Sequence, residues 1–186
     1  MTGTHRERIL AAAAELTTAQ GWSAVTMGRL AEMTGVSRQT VYTEVGAKPE
    51  LAEAMVLDEL GRFLAAVEAA FDRHPADAVA AVRLAVRRVL ELGRDRPLPR
   101  AVVAGVYGAD TDLLPLLTTR ADAVHAVAGE VVTRRLRQAQ PSLSAADAAL
   151  VSDVVVRLTL SHLLQPSTTP TRAAAGVART AAGLLG

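Results

Sequence analysis

Thr26 to Lys48 runs TMGRLAEMTGVSRQTVYTEVGAK. Thr26 is a predicted N-cap for a short helix, MGRLAEMT, because its hydroxyl can accept from the first free backbone N–H groups. Gly35 ends that helix, since glycine accepts the left-handed conformation of a tight turn. Ser37 is a second N-cap, opening a helix over about Arg38–Glu44, and Gly46 breaks the chain again. Two short helices joined by a turn of about four residues are what a helix-turn-helix requires. Leu30 is expected to face the core, Ala31 to stay small so that the second helix can approach, and Val36 and Val41 to bury against the first. Arg38, Gln39, Thr40 and Thr43 then face outward, and all can hydrogen-bond. Arginine forks onto guanine, glutamine onto adenine, and a threonine methyl meets a thymine methyl. In an alanine-rich chain the same unit also serves as plain helix packing. Tyr42, taken alone, reads more readily as a half-buried packing residue.

Outward from this stretch the pattern stays helical. Upstream, Ile9, Ala12, Ala13 and Leu16 line one face of a helix over about Arg6–Gln20, ended by Gly21. Downstream, Lys48 opens a helix with Pro49 in its first turn, where proline is tolerated. Leu51, Met55, Leu60, Phe63, Leu64 and Val67 recur along it at helical spacing, to about Asp72. Further helices are predicted at about Asp77–Leu92 (closed by Gly93), Pro99–Tyr107, Thr119–Gln138, Ser144–Leu164 and Thr171–Leu185. RDRPLPR is a connector, because each proline disfavours helix in the residue before it. Asp110 and Asp112 read as turn and cap residues. The fold class is all-α: three short helices, a long connecting one, then a larger helical body.

Composition agrees. Half of the 186 residues are hydrophobic and aromatics make up 3%. Alanine, leucine and arginine are strong helix formers. With no cysteine, disulfides and thiolate metal sites are excluded. MTGTHRERIL lacks the apolar core of a signal peptide, and no apolar run reaches the roughly 18 residues of a membrane span. The expectation is a cytoplasmic protein with no membrane contact. His5, His74, His125 and His162 are scattered, and only Asp122 and His125 share a helix face at ligand-like spacing. Neither a phosphate-binding glycine loop nor a G-x-S-x-G elbow is present. No enzyme activity, metal or cofactor is expected. The net charge is only +1, and Met1 to Lys48 holds five basic and four acidic residues. Binding to a polyanion must therefore rest on where a few groups sit.

Nineteen of the twenty basic residues are arginine, and the one lysine is Lys48. The run TMGRLAEMTGVSRQTVYTEVGAKPEL resembles the DNA-binding segment of the TetR family of transcriptional regulators, through Thr26, Leu30, Ala31, Gly35, Val36, Ser37, Tyr42 and Lys48 in order and spacing. It departs at Val45, where phenylalanine is usual, and at Pro49, where an acidic residue is common. The resemblance implies a DNA-binding set of Thr26, Ser37, Arg38, Gln39, Thr40, Tyr42, Thr43 and Lys48. Thr26, Tyr42 and Lys48 would hold phosphates, while Arg38, Gln39, Thr40 and Thr43 would lie at or beside base edges. An ammonium on a flexible stem suits a phosphate as a point charge.

The resemblance further implies a helix-turn-helix DNA-binding domain at 1–50 and a ligand-binding and dimerisation domain at 51–186. The helix around SAADAALVSDVVVRLTLSHLL is apolar nearly all round, so it must be covered on several sides. A second copy is expected to cover one of them, with Val151, Val154, Val155 and Leu158 at the interface. Phe63, Leu90, Tyr107 and His125 are expected to line a pocket for a small-molecule effector. The expected function is a ligand-responsive regulator, a repressor, binding pseudo-palindromic double-stranded operator DNA as a homodimer. The alternative is a helical small-molecule-binding or scaffold protein without DNA binding.

Overall fold

Local capping starts the fold. Thr4 Oγ1 accepts from the Glu7 N–H (3.2 Å) while Glu7 Oε2 accepts from the Thr4 N–H (2.8 Å), a reciprocal box that opens α1, His5–Gln20. The structure, a computed structural model, describes residues 4–95 and 121–186. Its described helices are α1, α2 (Met27–Thr34), α3 (Arg38–Val45), α4 (Lys48–Arg73), α5 (Ala78–Asp95), α6 (Ala121–Ala139), α7 (Ala145–Leu164) and α8 (Pro170–Leu185). Among the described residues there is no strand. The predicted helix over Pro99–Tyr107 and the turn residues Asp110 and Asp112 lie outside the described residues.

The described chain forms two compact units: residues 4–59, and residues 60–95 with 121–186. The division falls within α4, between Glu59 and Leu60. In the first unit α1, α2 and α3 pack on one another. Ile9, Ala13, Leu16, Leu30, Val41, Leu51 and Met55 share its core with Trp22 and Val25. Burying a side chain such as Leu30, fully excluded from solvent, is worth roughly 1.5–3 kcal/mol. A single 3₁₀ turn, Trp22–Ala24, follows α1 and places Trp22 in this core. So short a turn carries no periodic signal in the sequence.

In the second unit α5 packs on α7 and α8, and α6 packs on α7. Ala81, Val82, Ala85 and Val86 of α5 share its core with Ala173, Ala174, Val177 and Ala181 of α8. Side chains this small allow close helix approach. Gly93 does not close α5, contrary to its sequence reading; the helix continues to Asp95. A Cβ at Gly93 would fall 2.1 Å from Leu163 Cδ1 and 3.9 Å from Phe63 Cζ. Gly93 marks the place where α7 seats Leu163 against the helix, not the place where the helix stops. At the same unit's α4–α6 contact, Arg135 reaches Asp72 and Arg134 reaches Glu68. The Arg135 guanidinium also lies 5.6 Å from the Phe71 ring centroid. Arg135 Nε is 3.2 Å from Glu68 Oε2, but that atom makes no aligned hydrogen bond, so this is a charge contact. No described helix is long and apolar enough to cross a membrane.

Candidate nucleic-acid interface

The turn between α2 and α3 is built by the backbone itself. Gly35 adopts φ 66°, ψ 32°; its N–H bonds to the Glu32 carbonyl at 3.4 Å, and the Val36 N–H reaches the Ala31 carbonyl at 3.1 Å. These two bonds satisfy carbonyls that the end of a helix leaves open. Thr26 Oγ1 then caps α2 through the Arg29 N–H (3.3 Å), and Ser37 Oγ caps α3 through the Thr40 N–H (3.0 Å). Both expected caps form.

With Val41 and Val45 buried against α1 and α2, the rest of α3 is turned to solvent. Arg38, Gln39 and Thr43 are exposed and Thr40 is half-buried. Tyr42 is 49% exposed, which is far from a core packing role. Thr40 Oγ1 lies 2.9 Å from Ser37 Oγ, and Thr43 Oγ1 donates to the Gln39 carbonyl at 2.9 Å. Thr26 and Ser37 are exposed at the helix starts, and Lys48 is half-buried at the start of α4. Every residue of the predicted DNA-binding set is therefore at least partly accessible.

The unit's cations divide into two kinds. Arg6 donates to the Glu44 carbonyl near the end of α3, and Arg8 donates to the Thr34 carbonyl at the end of α2. Cations are favoured at helix C-termini, where the carbonyl ends carry partial negative charge. Arg29 Nη1 donates to the Ala24 carbonyl at 3.3 Å. These three arginines hold the unit together. Among the described residues Arg38 and Lys48 have no carboxylate partner. The Arg38 guanidinium lies back along α2, so that a Cβ at Gly28 would sit 2.8 Å from its Nη2. Lys48 Nζ lies 5.0 Å from the centroid of the Trp22 ring. A sum of charges could not reveal this division, because it depends on which carbonyls the fold brings to each guanidinium.

The other predicted sites fare unevenly. Leu90 is 5% exposed and belongs to the second unit's core, with Phe63 half-buried against it. His125 is not with them: its Nε2 lies 3.2 Å from Asp153 Oδ1 on α7, without the alignment of a hydrogen bond. Tyr107 and the Asp122 side chain lie outside the described residues. An open groove of about 610 Å³ on α6, lined by Arg134, Arg137, Gln138 and others, includes none of the four. At the expected dimer face, Val151 and Val155 are 0% and 5% exposed and pack inside their own subunit, so they have no surface to offer a partner. Leu158 packs partly on the same core, while Val154 is half-buried outside it. Leu150, one turn before Val154, is 53% exposed. Of the four expected interface residues, only Val154 and Leu158 therefore keep surface that a second copy could cover.

Asp153 sits between the Arg157 guanidinium and the His125 imidazole. Arg157 Nε donates to both of its carboxylate oxygens at 2.9 Å, and this bond holds the Asp153 carboxyl below its ordinary range against the opposing effect of desolvation. The Arg157 and His125 charges add to the lowering.

Comparison with known proteins fits this geometry. The family described as bacterial regulatory proteins, tetR family, matches residues 9–55, and the C-terminal domain of the bacterial tetracyclin repressor matches residues 77–182. The HTH-type transcriptional regulator AlkX of Mycobacterium tuberculosis is 29% identical over 181 residues, covering 94% of this chain and 82% of that protein. The crystal structure of the TetR family repressor AlkX from Dietzia sp., implicated in biodegradation of n-alkanes, superposes with a TM-score of 0.75 at 30% identity. That alignment covers 97% of this chain and 95% of the other. PfmR from Thermus thermophilus, at 24% identity and a TM-score of 0.58 over 100% of this chain and 97% of its own, shares the fold. The chain belongs to the TetR family of transcriptional regulators.

Proposed function

We propose that this protein is a ligand-responsive repressor that binds pseudo-palindromic operator DNA as a homodimer, with α3 in the major groove. The observation that carries this reading is the outward face of α3. Arg38, Gln39 and Thr43 are exposed on a helix whose other side is locked into the core by Val41 and Val45. A helix held this way presents Gln39 and Thr43 to a groove, while the Arg38 guanidinium leaves its place beside Gly28 to reach a base edge. Thr26, Tyr42 and Lys48 flank it as phosphate anchors, which fix register, while the α3 side chains read base edges. Residues 1–50 carry this recognition, and residues 51–186 carry dimerisation and effector binding.

In the dimer, a second copy covers the apolar surface that each subunit leaves open on α6 and α7. Leu150 (53% exposed) and Val127 (43%) are the most exposed large apolar side chains on those helices, with Val154 one turn after Leu150. Two α3 helices then meet half-sites about one helical turn apart, or a multiple of it. The effector class is apolar and aliphatic. This rests on the similarity to a repressor implicated in n-alkane biodegradation and on an effector-domain core of alanine, valine and leucine. Effector binding favours a dimer state that no longer matches successive major grooves, and so shifts the population off the operator.

A gel shift with DNA from upstream of the encoding gene tests the proposal. It should show a salt-sensitive, sequence-selective complex that medium- and long-chain aliphatic compounds dissociate. Polar compounds of similar size should leave it intact. A folded dimer with no preference for any upstream fragment over unrelated duplex would contradict it.

A further inference from the structure

Trp22 is the only tryptophan in the chain. It is 4% exposed and fixed in the 3₁₀ turn that follows α1. Its ring lies under the Lys48 ammonium, 5.0 Å from Nζ to the centroid. Among aromatic side chains the tryptophan face attracts a cation most strongly. An ammonium carries three N–H donors, and a ring on one side leaves the other side of it open. Lys48 is half-buried, with the indole beneath it and solvent access remaining. No carboxylate competes for it among the described residues. The ring itself cannot swing away, because it is packed in the core with Ile9, Leu16 and Val25.

We propose that Trp22 is a positioning residue for the phosphate contact of Lys48. The buried indole orders the ammonium at the start of α4 before DNA arrives, and the ammonium stays on the ring while its open side meets a phosphate oxygen. A free lysine stem would lose its rotamer freedom on binding, and the ring removes that loss in advance. This explains why the chain's only lysine stands here: a compact point charge sits on one ring face and still presents donors beyond it. The inference rests on the reading of Lys48 as a phosphate anchor.

Because a phosphate contact is independent of sequence, a random-sequence duplex at low salt is a sufficient probe for the full-length protein. Trp22→Leu should weaken binding by about two- to fivefold per subunit contact. Trp22→Phe should fall between Leu and wild type, and Trp22→Leu should have no further effect in a Lys48→Ala background. Equal effects of Trp22→Leu in both backgrounds, or tighter binding, would overturn the proposal while the DNA reading stands. No duplex binding by the wild type would overturn both. If Trp22→Leu does not fold, the fluorescence of Trp22 decides. Wild-type emission at saturating DNA should stay distinct from that of Lys48→Ala. Convergence of the two spectra would mean that the ammonium leaves the ring, and the proposal would fall.

Discussion

Gln39 and Lys48 stand within one short stretch, yet the proposed reading has them act on different parts of a duplex. Gln39 is exposed on α3, where its amide can bond bidentately to an adenine edge, and Lys48 stands off that helix at the start of α4. Gln39→Ala should therefore change which half-site is preferred, costing about 1–3 kcal/mol at one base position. Lys48→Ala should weaken all sequences about equally and lower the salt slope by about one per subunit. Competition binding across a panel of half-site variants at two salt concentrations checks both. Uniform weakening by Gln39→Ala would refute its role in base reading. At this scale the caps were legible from sequence, because Thr26 and Ser37 act on N–H groups three residues away. The seat of Lys48 on Trp22 was not legible, nor was that of Arg38 against Gly28. Each joins residues on different elements, and only the packed fold decides the approach.

Gly93 shows how an element can be misread from its punctuation. A glycine after an apolar-periodic run usually marks a helix end, but here it marks a crossing, with Leu163 of α7 seated where a Cβ would stand. Gly93→Ala gains up to about 1 kcal/mol of helix propensity and loses about 1–3 kcal/mol by overpacking. Net destabilisation is expected in thermal or urea unfolding. In a Leu163→Ala background the same change should become stabilising; a destabilising effect there would place the strain elsewhere.

Between α6 and α7, Asp153 links His125 and Arg157. Its carboxyl is held below the ordinary 3.8 chiefly by the Arg157 hydrogen bond. A depressed folded value stabilises above the unfolded value and is lost as pH falls through the folded one. Asp153→Asn should therefore be less stable than wild type at neutral pH, with the gap closing below pH 3.8. A gap unchanged on acidification would remove Asp153 as its source. The helices that carry these contacts were legible from their apolar periodicity. The contacts themselves were not, since Asp122, His125's neighbour on its own helix in sequence, gave no hint of Asp153.

For the whole molecule, the proposed dimer rests on the apolar surface of α6 and α7. Leu150→Arg places a charge on the most exposed large apolar side chain of those helices. Sedimentation should then show the 19.4 kDa chain alone, where the wild type shows twice that mass. A variant that stays dimeric would move the interface to another face. The all-α architecture and the exposed face of α3 were legible because short-range patterning fixes both. An all-apolar helix does not say which stripe its own subunit covers, and Val151 and Val155 proved to be core. Leu90, expected at a pocket, also proved to be core, since side chains that could line a cavity look like ordinary core in sequence.

The account turns on α3 reading a duplex as one of a symmetric pair. Selection of bound DNA from a random pool by the full-length protein tests this most directly. The predicted result is a pseudo-palindromic consensus with half-site centres about 10 base pairs apart, or a multiple of that, whose bases shift when Gln39 is changed. A folded dimer that enriches no sequence, or a consensus indifferent to Gln39, would contradict it.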